Sequence, residues 1–313
     1  MLKNSKTLAG LLGLSVGDAL GVPVEFASRS ELVASPIIKM TGYGTWQQPL
    51  GTWSDDSSLS FCLAESMCQG FSLEAIAESF CRWRSQGYWS AHGSVFDVGA
   101  TTALSIYRLH QGVPPLEAGE TSDGTNGNGS IMRILPLAFY HKTLSLRELI
   151  ERVHQVSCIT HAHPRSQIAC GIYICIAVQI LLGHDPQDAY LLGIKDAKQL
   201  YVEPALMTEL HHFERVLSEG IPSLTVDEIN SSGYVVDTLE ASLWCLLTST
   251  SYSETVLKAV NLGNDTDTTA TVAGGLAGIY FGVESIPAEW IDQLARKDDI
   301  IDLANRLETA VYS

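Results

Sequence analysis

Positive charge is scarce in this chain. Of 313 residues, 19 are Lys or Arg against 35 Asp or Glu, a formal net charge of -16. So few cations leave no basic face to neutralise a phosphate backbone, which excludes general nucleic-acid binding. A modified base or a nucleotide as substrate stays open. Cysteine is sparse and lacks paired spacing; there are seven, an odd number, and Cys62, Cys158, Cys170, Cys175 and Cys245 all lie in apolar segments. That pattern fits a reducing compartment, so a cytoplasmic location is expected. No Pro/Ser-rich linker, block of like charge or repeat divides the chain. With 46% hydrophobic residues it can bury a sizeable core as one domain over residues 1–313. A monomer is expected.

Long apolar runs are few. Lys3 and Lys6 ahead of Leu8 to Val16 imitate a short secretion signal. The run passes straight into Gly17-Asp18-Ala19-Leu20-Gly21 without a small-residue cleavage site, so it reads as a first core helix. Ile168 to Leu182 is too short for a bilayer and is interrupted by Gln179, so no membrane contact is expected. Strand-like alternation is rare; Val22 to Phe26 is a short instance. Helical period dominates instead. Leu73, Ile76, Ala77 and Phe80 mark one helix, and Leu146, Leu149, Ile150, Val153 and Val156 another. Leu206 to Leu217, Leu239 to Leu247 and Ile300 to Leu307 follow. The fold class is all-α.

The stretch from Gly263 to Thr271 concentrates the chemistry. Asp265 and Asp267 stand among Thr266, Thr268, Thr269 and Thr271, ahead of a small, apolar run that reads as a buried helix. On a regular helix, positions two apart point to different sides. The two carboxylates converge only if Asp265 lies in the loop and Asp267 near the helix start. Capping of the helix is the plain alternative, since Asp and Thr favour that position. A second acidic start, Ser54-Asp55-Asp56-Ser57, precedes another apolar run. Four carboxylates brought together repel unless protonated or bridged by a cation. With oxygen ligands alone, that cation is hard: Mg, Mn or Ca rather than Zn.

Gly17-Asp18-Ala19-Leu20-Gly21, Ser54-Asp55-Asp56-Ser57 and Asp265-Thr266-Asp267-Thr268 resemble, in order, the three signature blocks of the ADP-ribosylglycohydrolase family. The resemblance runs from about Leu8 to Gly282. One departure is visible: the family usually has Thr where Ser54 and Ser57 stand, although serine keeps the hydroxyl. The resemblance implies an all-α bundle with its site on loops and helix starts. It implies a hydrolase that removes ADP-ribose from a modified acceptor with two Mg or Mn ions. The ligands would be Ser54, Asp55, Asp56, Asp265, Asp267 and Thr268. ADP-ribose is the expected product and an ADP-ribosylated protein the expected partner.

Further residues follow from the same resemblance. Asp97, in Phe96-Asp97-Val98-Gly99, reads as a helix cap by itself and as a catalytic acid by family likeness. Glu25 is an ordinary surface acid or a second candidate for moving the proton. Thr125-Asn126-Gly127-Asn128-Gly129 is a plain turn by itself; it resembles the Gly-Asn-Gly-X-X-Met-Arg loop, which implies contact with the diphosphate and distal ribose. Arg133 is expected to partner a buried carboxylate. His161, in the Thr-His pair, is the candidate nucleotide contact; His163 lacks further soft ligands nearby in sequence. His211 and His212 are expected on a solvated helix face. Tyr234, beside a glycine, would stack on adenine or belong to the core. The acceptor is expected to be arginine, because the Asp97 block is similar to the arginine-directed branch. Serine, a nucleic-acid base and a small ester remain alternatives, as do a phosphohydrolase acting on the diphosphate and a non-catalytic nucleotide binder.

Overall fold

A computed structural model describes residues 5–312; Lys3 lies outside them. Among the described residues the chain forms α-helices, short 3-10 turns and no strand. The helices are α1 Lys6–Gly21, α2 Arg29–Ala34, α3 Asp55–Met67, α4 Leu73–Gln86, α5 Ala100–His110, α6 Pro115–Ala118, α7 Leu146–Cys158 and α8 Pro164–Leu181. They continue with α9 Pro186–Leu200, α10 Pro204–Met207, α11 Glu214–Leu217, α12 Val235–Leu247, α13 Tyr252–Val260, α14 Thr266–Phe281, α15 Ala288–Gln293 and α16 Lys297–Tyr312. Many starts carry a side-chain cap. Ser28 with Glu31 and Ser145 with Glu148 form reciprocal capping boxes.

The centre is the antiparallel pair α1 and α14. Glycine makes their approach possible. A Cβ on Gly13, Gly17 or Gly21 would fall inside contact distance of the α14 backbone at Gly274, Ala270 and Asp267 respectively. The helices therefore touch main chain to main chain, and the end of α1 is pinned against the start of α14. The Tyr252 hydroxyl donates to Gly13 O at 2.7 Å, and Lys6 Nζ donates to Ile279 O at 2.7 Å near the far end of α14. Helices α8, α12 and α13 pack against α14, while α3 and α16 pack against α1. The segment Lys6–Val24 and helix α8 are long and apolar enough to cross a membrane, yet 94% and 78% of those windows are buried inside the fold.

Three expectations change. Val22 to Phe26 is not extended; Pro23 lies in a 3-10 turn over Val22–Val24. The helix expected over Leu206 to Leu217 is split into α10, a 3-10 turn and α11. The break falls near Glu209, whose carboxylate turns to pair with Arg165 at 2.8 Å. Helix α8 starts earlier than its apolar run, because His163 caps it and Pro164 suits its first turn.

Candidate active site

The pinned end of α1 meets the starts of α3 and α14, and this junction is acidic. Asp265 is the N-cap residue of α14, yet its side chain makes no capping hydrogen bond. Asp267 follows in the first turn, so one carboxylate is on the loop and one on the helix. At α3, Ser54 Oγ accepts from Asp56 N at 3.2 Å. Asp18, reaching from α1, accepts from Ser54 N at 2.9 Å, Ser57 N at 2.9 Å and Ser57 Oγ at 2.6 Å. It thereby ties the start of α3 to α1. Thr268 Oγ1 donates to Asp56 Oδ1 at 3.2 Å, which links the two acidic starts directly.

The carboxylates form two groups that share Asp267. Asp18, Asp56 and Asp267 bring one oxygen each within 4.8 Å of one another, and so do Glu25, Asp265 and Asp267. Asp55 is 6% exposed and lines the cavity beside them. Burial raises every one of these groups above the usual carboxylate range. Asp18 is pushed to about 6, with its three donors pulling the other way. Glu25 is pushed to about 9, first by burial and then by the charge of Asp97. Asp55, Asp56 and Asp267 are raised well above the usual range by burial and then by neighbouring carboxylates. Asp97 and Asp265 are raised too, mainly by burial. Asp97 lies within proton-sharing reach of both Asp267 and Glu25. Two carboxyls that close keep one proton between them.

Among the described residues, three buried carboxylate oxygens, Asp56 Oδ2, Asp265 Oδ1 and Asp267 Oδ2, accept from no N–H or hydroxyl donor. Buried polar atoms are ordinarily paired. Orphaned acceptors in a cluster that resists ionisation suit hard cations, so the donor set fits the divalent ions inferred from sequence. Asp55, Asp56, Asp265, Asp267 and Thr268 would hold them. Ser54 and Asp267 both lie below the cavity lining; Asp267 belongs to both acidic groups, whereas the Ser54 hydroxyl accepts the capping bond of α3.

Above the acids opens a cavity of about 390 Å³. Its floor carries Asp55, Asp56, Asp265 and Thr268; Glu25 and Asp97 form a flank. Gly127, Asn128, Gly129, Met132 and His161 form another wall, and Gly99 to Thr102 at the start of α5 complete it. Asn128 Nδ2 donates to Asp265 Oδ2 at 2.8 Å, so the glycine loop is fastened to the acidic floor. His161 is held neutral, its basicity lowered to about 3 by burial and then by Arg133. Thr160 Oγ1 contacts His161 Nδ1 at 2.8 Å. Five more of the residues singled out in the sequence lie outside the cavity lining. Asn126 turns inward, where its Oδ1 accepts from Ser166 Oγ at 3.0 Å, and Thr125 Oγ1 donates to Ser122 O at 2.7 Å; neither lines the cavity. Tyr234 is half-buried beside Gly127, with the Arg165 guanidinium 6.0 Å from its ring centre. Arg133 partners no carboxylate; it donates to Gly129 O, Val156 O and Thr160 Oγ1, because the chain around it presents carbonyls. His163, although close to Asp123 and Glu209, lies with Arg165 ion-paired between them.

The family model for ADP-ribosylglycohydrolase matches residues 2–313. The chain belongs to the ADP-ribosylglycohydrolase family. An ADP-ribosylarginine hydrolase Tri1 of Serratia proteamaculans is 32% identical over 306 residues, covering 96% of this chain and 78% of the relative. An ADP-ribosyl dinitrogen reductase glycohydrolase of Rhodospirillum rubrum is 32% identical over 303 residues, covering 94% and 92%. A solved structure titled an ADP-ribosylglycohydrolase-related protein complex superposes with a TM-score of 0.82 at 28% identity, covering 99% of both chains. As a member, this chain is an enzyme that hydrolyses a glycosidic bond.

Sequence reasoning left two parts of this site unassigned. Asp18 was visible as part of a signature block, but its tie to α3 depends on tertiary contact. The α5 start was read only through Asp97, whereas Gly99 is its N-cap residue and supplies no side-chain cap. Asp97 is therefore not the cap; at φ +52 it is held in the left-handed region and turned to the acids.

Proposed function

We propose that this enzyme is a cytoplasmic monomer that uses two Mg or Mn ions to hydrolyse ADP-ribosylarginine on protein, releasing ADP-ribose. The observation that carries the metal reading is the trio of orphaned oxygens on Asp56, Asp265 and Asp267, with Asp267 common to both acidic groups. Divalent ions bound there would orient ribose hydroxyls and make a nearby water more acidic. The name of the Serratia relative, an ADP-ribosylarginine hydrolase, supports arginine as the acceptor, and that of the Rhodospirillum relative, a dinitrogen reductase glycohydrolase, supports a protein as its carrier.

The chain's own groups divide the remaining work. The start of α5 leaves backbone N–H groups without a side-chain cap, beside Gly127 to Gly129 and His161. Such a start favours an anion, so the diphosphate belongs there. That orientation leaves the distal ribose over the acidic floor. Asn128 bonds both Asp265 and Thr238 and so fixes the height of the loop above that floor. Cleavage at the anomeric carbon builds positive charge on the ribose, which the surrounding carboxylates stabilise. As the bond from the anomeric carbon to the acceptor nitrogen breaks and water oxygen bonds to that carbon, Asp97 accepts the water proton, and the Asp97–Glu25 pair returns a proton to the departing nitrogen. Defined ADP-ribosylated arginine, serine, nucleic-acid base and ester substrates test the reading side by side. The arginine linkage should give the highest kcat/KM. A preference for another linkage would overturn the acceptor, and AMP as product would indicate a phosphohydrolase.

A further inference from the structure

Phe26 lines the cavity and is still 65% exposed. Its backbone stands at φ +66, a conformation that bulky residues rarely adopt. The conformation is held on both sides. Phe26 N donates to Asn264 O at 2.6 Å, and Asn264 N donates to Ala27 O at 2.7 Å, one residue before Asp265. An ordinary apolar ring would bury itself; this one is fixed at the mouth beside the acids. It meets Trp46 edge-on at 6.2 Å, and Trp46 lies 5.6 Å from Phe96. The Trp46 indole N–H donates to the Glu25 carboxyl, and Thr45 Oγ1 donates to Glu25 O at 2.9 Å. Of the three rings Phe26 lines the cavity, and the half-buried Trp46 and Phe96 back it beside Glu25 and Asp97.

We propose that Phe26, backed by Trp46 and Phe96, forms the acceptor subsite and that it takes a guanidinium group. This rests on reading the cavity as the site of ADP-ribosyl hydrolysis, and it names what recognises the leaving group. The α5 start and the Gly127–Gly129 loop offer N–H groups to the diphosphate, which leaves Phe26, the exposed ring in the cavity lining, for the acceptor. Among the described residues, no Lys or Arg lines the cavity. Carboxyls beside an exposed aromatic face suit a planar, weakly hydrated cation, which stacks on a ring and donates to oxygens. A serine hydroxyl or an ester gains neither contact.

The test compares wild type, Phe26→Ala and Phe26→Tyr as full-length protein with Mg, on ADP-ribosylarginine and ADP-ribosylserine. Phe26→Ala should lose about 5- to 30-fold in kcat/KM on the arginine linkage, the worth of one partly desolvated cation–ring contact. That loss should exceed the loss on the serine linkage at least fivefold, whereas Phe26→Tyr should recover most of it. Equal loss on both linkages, or none on arginine, overturns the proposal. Agmatine, a small guanidinium compound, is titrated in parallel into Mg-loaded protein. Weaker binding in Phe26→Ala than in wild type supports the subsite even if no linkage is cleaved, in which case the hydrolase reading falls alone. Agmatine binding that is absent, or unchanged by Phe26→Ala, counts against the subsite whatever the wild-type turnover shows.

Discussion

Gly21→Ala isolates the contact that aligns the metal site. Gly21 has ordinary helical torsions, φ -82 and ψ -38, so alanine suits its backbone. The obstacle is space. The new Cβ would lie within contact distance of Asp267 Cα and N, and 2.6 Å from the Thr266 carbonyl carbon. Non-bonded carbons rest at about 3.5–4.0 Å, so the start of α14 must retreat by about 1 Å. All three neighbours are main-chain atoms, and no rotamer change relieves them. The same shift strains the hydrogen bond from Thr266 Oγ1 to Gly21 O, now 2.9 Å. Overpacking of this kind costs about 1–3 kcal/mol. Better helix propensity returns about 0.5–1 kcal/mol. The net loss should lower Tm by a few degrees, since about 1 kcal/mol moves a large domain by ~2–4 °C. Activity should suffer more than stability, because a misplacement of about 1 Å at a reacting centre costs on the order of 10²-fold. Differential scanning calorimetry and kcat/KM measured together test this. Gly10→Ala is the control: its Cβ would meet Phe139 Cζ at 3.0 Å and Ile279 Cγ1 at 3.2 Å, side-chain atoms that can yield. It should keep most activity. Wild-type turnover in Gly21→Ala would refute the idea that this contact sets the position of Asp267.

Asp97→Asn should lower turnover by about 10²–10⁴-fold while ADP-ribose binding, followed by calorimetry, changes little. Its melting temperature should stay near wild type, because Gly99 and not Asp97 is the N-cap of α5 and Asn tolerates the left-handed backbone; normal turnover would move the role to Glu25. Removing divalent ions with a chelator should lower Tm, and Mg at ~100 times its Kd should return about 2.7 kcal/mol of stability. That gain should grow from pH 6 to pH 8, since the raised carboxyls shed their protons to bind metal; a metal-independent Tm would contradict the ligand assignment. His154 lies outside the site, with Nε2 3.0 Å from the Tyr201 hydroxyl, and burial lowers its pKa from 6.5 to about 4. The unfolded chain therefore takes this proton first, and the stability tied to neutral His154 is lost as pH falls from 6.5 through 4. The buried carboxyls act with the opposite sign, so the readout is the difference between proteins: His154→Gln should lose less stability than wild type between pH 7 and 5, by on the order of 2 kcal/mol in urea unfolding.

The acidic helix starts were legible because their signal is local. Serine or aspartate at a helix entrance followed by a small, apolar run specifies both the cap and the burial, so Asp55, Asp56, Asp265 and Asp267 could be brought together on paper. The helices with strong period, α4, α7, α12 and α16, were legible for the same reason. What escaped depends on contacts between distant residues. Gly13, Gly17 and Gly21 recur every four residues, but only their meeting with α14 shows that they set the closest approach in the core. The inward turn of Asn126 needs Ser166, 40 residues away. Arg133 looked like a partner for an acid because a buried guanidinium usually needs one; the loop and α7 offer oxygens instead. The split near Glu209 is a tightening of hydrogen bonding, Glu209 N to Leu206 O at 3.0 Å and His212 N to Glu209 O at 3.1 Å, which the helical spacing of Leu206, Leu210 and Phe213 does not reveal. Phe26 was read as the end of a short strand, since nothing in its neighbours reveals a positive φ.

The most direct test is product analysis. Purified protein is incubated with a peptide carrying one ADP-ribosylated arginine, with Mg and separately with excess chelator, and all products are resolved by mass spectrometry. With Mg, unmodified arginine peptide and free ADP-ribose should form in equal amounts, and with chelator neither. AMP with a phosphoribosylated peptide, or equal release of ADP-ribose in the presence of chelator, would contradict metal-dependent glycosidic hydrolysis.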